Sequence, residues 1–409
     1  MRFTSGLLAV VALVGGGGAP WPAVAAQSLN HPKRPRLVAG ADTNDARVYF
    51  DHGVAFLKRD PWTAAAAFYW ASRLEPGWPE PLYAQRVAGL LAQEHLLMGY
   101  LEGVRSVIAS PQAQQLDSLE YQAQRLNPFF LRDLDESLFA GYVVATYKQE
   151  LFRAGERPLD PSGESELNFL LDQYLRSGAR LPVRAALAAS QRRFLEALEL
   201  YRQLLPQYRF KAEIRWERAR IFYVIGSYDS ALVELQTALS EPRQPDTTRL
   251  TPVYVSRELL DHSIGMIHEA AGDTAAAREA YGRALLENLS YSPAHVRLAA
   301  LDLIAGDTAT ALSELDLAVQ VAPTEAPPRV SYALLLAQVG RRDEAVLHLR
   351  RAADLEPYYA VPHYVLGFVA ELQGDREEAL AGYRAFLARA SVRDRLRNVV
   401  TQRVADLSY

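Results

Sequence analysis

The chain contains no cysteine. That absence excludes disulfides, cysteine-ligated zinc, iron–sulfur clusters, a cysteine nucleophile and a lipid anchor carried on an N-terminal cysteine. Neither sign of charge dominates: 44 Lys and Arg stand against 48 Asp and Glu, for a formal net charge of −4. A dedicated nucleic-acid binder advertises itself through basic charge, so no nucleic acid is expected as a partner. Beyond the first residues no apolar run approaches the ~20 residues that a membrane-spanning helix needs, so membrane contact is expected only indirectly. HExxH, a Walker phosphate loop, a dinucleotide fingerprint and a serine elbow are also missing. The expectation is a non-enzyme with no cofactor, no metal and no catalytic residue.

What is present is length and apolar content. The 409 residues, 49% of them apolar, suit a large or modular fold with a substantial core. With 24 glycines and 23 prolines the chain is neither collagen-like nor disordered throughout.

Residues 1–26 read as a targeting segment. Arg2 gives a positive start, Leu7 to Val14 form a short apolar core, and the glycine run with Pro20 breaks it. Ala23-Val24-Ala25-Ala26 offers small residues to a peptidase, with cleavage after Ala25 or Ala26. The alternative is an uncleaved anchor, for which the stretch is short. Residues 27–44 are polar, carry Pro32 and Pro35, and look like a flexible leader. An exported protein follows, periplasmic in the first instance and secreted as the alternative.

The last third repeats itself. Gly272, Gly306, Gly340 and Gly374 are 34 residues apart. Ala277, Ala311, Ala345 and Ala379 keep the same step, as do Ala284, Ala318 and Ala352 until Phe386 takes the slot. Self-similarity at this period marks a solenoid. Within a unit, Pro327-Pro328 open a helix, Gly340 turns the chain, and Asp343-Glu344 place negative charge at the start of the next helix. A lone helical hairpin cannot bury its apolar stripe, so neighbours must stack on it.

These positions resemble the tetratricopeptide repeat (TPR) family. The fullest match is Leu366, Gly367, Ala370, Gly374, Ala379, Tyr383 and Phe386. Ile264, Gly265, His268, Gly272, Ala277, Tyr281 and Ala284 form another copy, and Ala219, Phe222, Gly226, Ala231, Leu235 and Ala238 an earlier one. Gly53, Phe56, Ala64, Phe68, Ala71 and Pro76 match in part. The resemblance implies an all-α, right-handed superhelical solenoid of antiparallel helix pairs. The expected organisation is a degenerate TPR-like region over 45–211, a regular array over 212–390 with a loop insertion near 241–251, and a C-terminal capping helix over 391–409. In that cap Leu396, Val399, Val400 and Val404 are expected to face inward.

The resemblance further implies that partners bind the concave face, lined by the first helix of each pair. Carried onto this chain, that face offers Trp216, Arg220, Tyr223, His262, Met266, Tyr364, Phe368 and Glu371 as partner-binding residues. Arg220 is the one permanent cation among them, unlike members that clamp an acidic peptide terminus with several basic side chains. An apolar groove for a helix or an extended segment fits better. Val296, Leu303, Ile304 and Leu334 read as ordinary packing. The aromatic cluster from Tyr49 to Trp78 falls at helical spacing and reads as core, with a stacking platform as the alternative. The function expected is a non-enzymatic scaffold or assembly factor binding another protein or peptide in the cell envelope. Three alternatives stay open: a solenoid for a small ligand or polysaccharide, an enzyme site in residues 82–178, and self-association through repeat faces.

Overall fold

A computed structural model describes residues 31–93, 96, 106, 110–134, 181–208, 211–241 and 256–408. The expected signal segment, the start of the leader, the loop insertion beyond residue 241 and residues 135–178 lie outside the described residues.

Among the described residues there are seventeen α-helices and no strand. The N-terminal part holds α1 (Ala46–Phe56), α2 (Pro61–Leu74), α3 (Glu80–Ala92) and α4 (Pro111–Leu126). Then come α5 (Leu181–Ser190), α6 (Phe194–Leu204), α7 (Lys211–Val224) and α8 (Tyr228–Ser240). The 34-residue array holds α9 (Arg257–Ala270), α10 (Thr274–Glu287), α11 (Ser292–Ile304), α12 (Thr308–Val321), α13 (Ala326–Gln338), α14 (Arg342–Leu355), α15 (Val361–Gln373) and α16 (Arg376–Arg389). The last helix is α17 (Arg397–Ser408). Successive described helices pair as hairpins, and from α5 onward each hairpin packs on the next, giving a TPR-like right-handed solenoid.

One turn, repeated, makes the hairpins. Gly226, Gly272, Gly306, Gly340 and Gly374 all have φ between 77° and 83°. That left-handed backbone costs glycine little and other residues more. The amide after each glycine reaches back to a carbonyl of the finishing helix, as in Asp273 N to His268 O at 2.8 Å and Asp307 N to Asp302 O at 2.9 Å. The next helix is then capped by its own first residue. Asp273, Asp307 and Asp375 accept from the amides of Ala276, Thr310 and Glu378, each at 3.0 Å. Arg341 stands at the equivalent place and makes no side-chain cap.

Helix approach within a hairpin is set by size. A Cβ on Gly265 would lie 2.4 Å from the Tyr281 ring, and one on Gly367 2.6 Å from the Tyr383 ring. Both tyrosines then donate to a glutamate on the facing helix, Tyr281 to Glu269 and Tyr383 to Glu371, at 2.6 Å each. The same device recurs three units apart. Fully buried Leu336, Leu349 and Ala352 show the stripe that stacking hides. Each leucine so buried contributes about 2 kcal/mol.

Two expectations change at the ends. The leader, expected to be flexible, lies against the fold over residues 31–44. His31 bonds the Tyr69 hydroxyl at 3.0 Å, and the Trp70 indole donates to the Pro32 carbonyl at 3.1 Å. In the C-terminal helix Val400 is fully buried while Val399 is exposed, because the packed stripe runs through Leu396, Val400 and Val404. The N-terminal aromatics pack as core: Tyr49 and Phe68 are buried, and Phe50 lies against both Phe68 and Trp78.

Candidate binding surface on the inner face

The first helix of each pair faces inward, and the chain's own N-terminal part lies against much of that face. Segment 127–134, leaving α4, crosses α7. The Phe129 ring stacks on Tyr223 with centroids 3.9 Å apart. Arg220 donates to the carbonyls of Pro128, at 3.1 Å, and Phe130. Arg132 pairs with Glu120 at 2.8 Å and with Glu217 at 3.0 Å. Arg86 adds Asp117 and Glu120 at 3.2 and 3.3 Å. Burial alone would push the Glu120 carboxyl up; Arg132, Arg86 and Arg220 outweigh it and hold the group below its ordinary value. Paired charges of this kind tolerate burial, whereas a lone one would not.

The eight residues expected to meet a partner divide accordingly. Trp216 is fully buried and Met266 nearly so, both in one cluster with Phe129. Arg220 is buried and engaged by segment 127–134. Tyr223 is half-buried under Phe129. His262 is 1% exposed between the rings of Tyr281 and Tyr291, with Nδ1 unpartnered. Burial, with Arg297 and Arg125 nearby, pushes its pKa down to about 3, so the imidazole is neutral. Tyr364 is half-buried against Phe386. Glu371 accepts from Tyr383 and pairs with Arg403 of α17. Phe368 alone of the eight is counted as exposed.

Phe368 is not isolated. Leu303 and Ile304 on α11, Leu334 on α13, and Phe368 and Leu372 on α15 are all between 36 and 73% exposed. Leu334 and Phe368 are one repeat apart, and Ile304 and Leu372 two repeats apart, so they share registers along three consecutive inner helices. Leu303, Ile304 and Leu334, expected to be packing residues, are instead the open part of the face. They lie in the C-terminal halves of these helices, whereas Arg125 and Arg73 meet Glu325 and Glu356 just before α13 and α15 begin.

That docking closes the molecule on itself. Arg73 on α2 pairs with Glu356 at 2.7 Å and donates to the Leu355 carbonyl at 3.1 Å, across 282 residues of sequence. Trp70 meets Tyr358 edge-on at 4.8 Å, and the Arg34 guanidinium lies over both rings. Asn44 donates to the Ala388 carbonyl at 2.9 Å, and the Val392 amide to Asp42 at 2.7 Å. On α4, Arg125 pairs with Glu325 at 3.1 Å. Sequence reasoning missed this seam, since no local pattern marks residues that meet from opposite ends of the chain.

Among the described residues no group of side chains could hold a metal ion, and no helix is long and apolar enough to cross a membrane. The carboxylates described within 82–178, Asp117 and Glu120, are tied to arginines, as is Asp133, which pairs with Arg192 at 2.9 Å.

No family model matches the chain, and no curated protein does. Solved structures of helical-repeat proteins are distantly similar. MamA from Desulfovibrio magneticus RS-1 is 19% identical over 43% of this chain and 93% of its own, with a TM-score of 0.35. YrrB, described as a TPR protein with an unusual peptide-binding site, is 17% identical over 51% and 100%, at 0.38. Yeast Tom70 is 14% identical over 89% of both chains, at 0.45. At such distances the likeness carries nothing further, and the TPR-like character of this chain rests on its own 34-residue register.

Proposed function

We propose that this protein is a docking scaffold of the cell envelope that works by binding and not by catalysis. Its partner is a protein or peptide presenting an apolar segment to the open part of the inner face. The observation that carries this reading is the exposed strip of Leu303, Ile304, Leu334, Phe368 and Leu372. Large apolar side chains exposed in register on adjacent helices mark an interaction surface more often than they mark chance. Aromatic and aliphatic anchors in a shallow groove suit a helix or an extended strand. The envelope location rests on the character of residues 1–26.

Site-specific photo-crosslinking in the source cell tests the surface. A photoreactive residue at Phe368 should give one discrete adduct, and one at Leu347, exposed on the second helix of its pair, should give none. Equal labelling from both sites, or none from Phe368, would overturn the reading. Fractionation tests the location: the full chain should reach the envelope shortened by its targeting segment, residues 1–26, and a chain lacking residues 2–26 should stay in the cytosol.

A further inference from the structure

One histidine of the array faces two acceptors at once. His295, in the first turn of α11, is 5% exposed. Its Nδ1 lies 2.7 Å from the carboxylate of Glu314 on α12, and its Nε2 lies 3.1 Å from the carbonyl of Leu289, in the turn that leaves α10. A neutral imidazole has one donor and one acceptor nitrogen. In that form one of the two contacts would set lone pair against lone pair in a buried place. The imidazolium donates at both nitrogens, so the geometry calls for the charged ring.

Glu314 is the countercharge, and the other charged groups around α11 are taken up elsewhere. From α10, Arg278 pairs with Asp302 at 2.5 Å, Arg283 with Asp261 at 2.9 Å, and Glu287 with Arg257 at 2.8 Å, while Glu279 is exposed. Arg297 of α11 itself pairs with Glu269 of α9 at 3.3 Å. On α12, Asp316 accepts from Gln320 at 2.7 Å, and on α13, Arg329 donates to the Pro323 carbonyl at 2.9 Å. Burial alone would push the His295 ring down; Glu314 and the Leu289 carbonyl outweigh it and hold the pKa above its ordinary 6.5.

The repeat supplies its own controls. One and two units on, His295 is matched by Arg329 and His363, and Glu314 by His348 and Gly382. Neither place sets a base against an acid. Burial, with Arg329 nearby, pushes His348 down, and burial, with Arg389, pushes His363 down to about 4.

We propose that the His295 imidazolium is a pH-dependent clasp that ties the turn after α10 to α12 and so holds α11 in place between two hairpins. Because α11 carries Leu303 and Ile304, opening the clasp loosens two of the five apolar side chains of the strip and leaves Phe368 and Leu372 on α15 untouched. That regulation rests on the strip being the docking surface. The folded ring holds its proton more tightly than the unfolded one. The clasp therefore contributes fully below about pH 6.5, loses its contribution as pH rises through the folded value, and contributes nothing above it.

Nitrogen-15 NMR of the histidine rings tests the clasp. One ring, absent from His295→Gln, should titrate above 6.5 and carry protons on both nitrogens below its midpoint, and Glu314→Gln should lower that titration. Should His295→Gln not fold, the shift in Glu314→Gln identifies the ring. Hydrogen exchange of α11 amides, corrected for intrinsic rates, should quicken severalfold between about pH 6 and about pH 8, while α15 holds level. Over the same range a photoreactive residue at Ile304 should lose its adduct and one at Phe368 should keep it. The ring titration and the exchange need no partner, so they decide the clasp even where Phe368 captures nothing. A His295 ring that titrates below 6.5, a titration unmoved in Glu314→Gln, or α11 exchange indifferent to pH would overturn the proposal.

Discussion

Residues 256–408 and residues 31–134 build a fold in opposite ways. The repeats use one device over and over: a left-handed glycine, an aspartate cap, a small residue facing a ring. Each contact is local, and each unit could be exchanged for its neighbour. The N-terminal part uses contacts that occur once. Arg86, Asp117, Glu120 and Arg132 form a buried ion network with Glu217 and Arg220 of α7, and the Arg73–Glu356 and Trp70–Tyr358 contacts join it to the last repeats. A solenoid propagates by nearest-neighbour packing; closing one requires individual, specific contacts. Among the described residues, the N-terminal contacts cover Trp216, Arg220 and Tyr223 and leave Leu303, Ile304, Leu334, Phe368 and Leu372 exposed.

The largest effect should come from breaking the ion network. Arg132→Ala leaves Glu120 and Glu217 without their shared cation, and losing one member of a buried pair costs about 3–5 kcal/mol. Hydrogen exchange should speed up through 110–134 and α7, while α13 to α16 keep their protection. Uniform loss of protection would show that the two regions do not differ as described.

Next are the glycine–ring approaches. Gly265→Ala and Gly367→Ala should each destabilise their own unit by about 1–3 kcal/mol, the cost of overpacking, as read by urea denaturation. Because the two sites are equivalent, a large effect at one and none at the other would contradict the common geometry.

The seam should respond to pH. Burial pushes the Glu356 carboxyl up to about 7 from 4.5, against the opposing pull of Arg73. The closed state therefore holds the proton more tightly than an open one. The contribution of Glu356 to closure is full below about pH 4.5, is lost as pH rises to about 7, and is level above that. After allowance for solvent screening the change is no more than about 2 kcal/mol. Exchange of α1 and α2 amides, corrected for intrinsic rates, should follow this course, and Glu356→Gln should flatten it. A slope of the opposite sign would mean that the Arg73 pair dominates burial.

The smallest effect belongs to the caps. Asp307→Ala should cost about 1 kcal/mol, and Arg341→Asp should gain a similar or smaller amount by restoring the cap that its sister units have. Thermal unfolding of the two variants reads both.

How much of this was legible follows from the same contrast. The 34-residue register pointed to the hairpins α9 to α16 through their glycine turns and small core residues. The family resemblance, and not the register, suggested Phe368 as a partner-binding residue; its ring is exposed. Neither could say that Trp216 and Arg220 would be covered, because the covering residues, Pro128 to Phe130, lie about ninety positions upstream in a stretch with no period. Leu303 and Ile304 looked like packing residues by hydrophobicity, yet a neighbour is needed to bury them, and none of the described elements covers them. The leader looked flexible by composition; Pro32 and Arg34 are nevertheless held by Trp70, Tyr49 and Tyr358.

The closure itself can be measured directly because the chain has no cysteine. Asn44→Cys and Ala388→Cys, joined by a short bismaleimide in dilute protein, read whether the two ends of the solenoid meet. The account predicts rapid intramolecular cross-linking that Arg73→Ala with Trp70→Ala diminishes. Two cysteines that react only singly, leaving the ends unlinked, would contradict it.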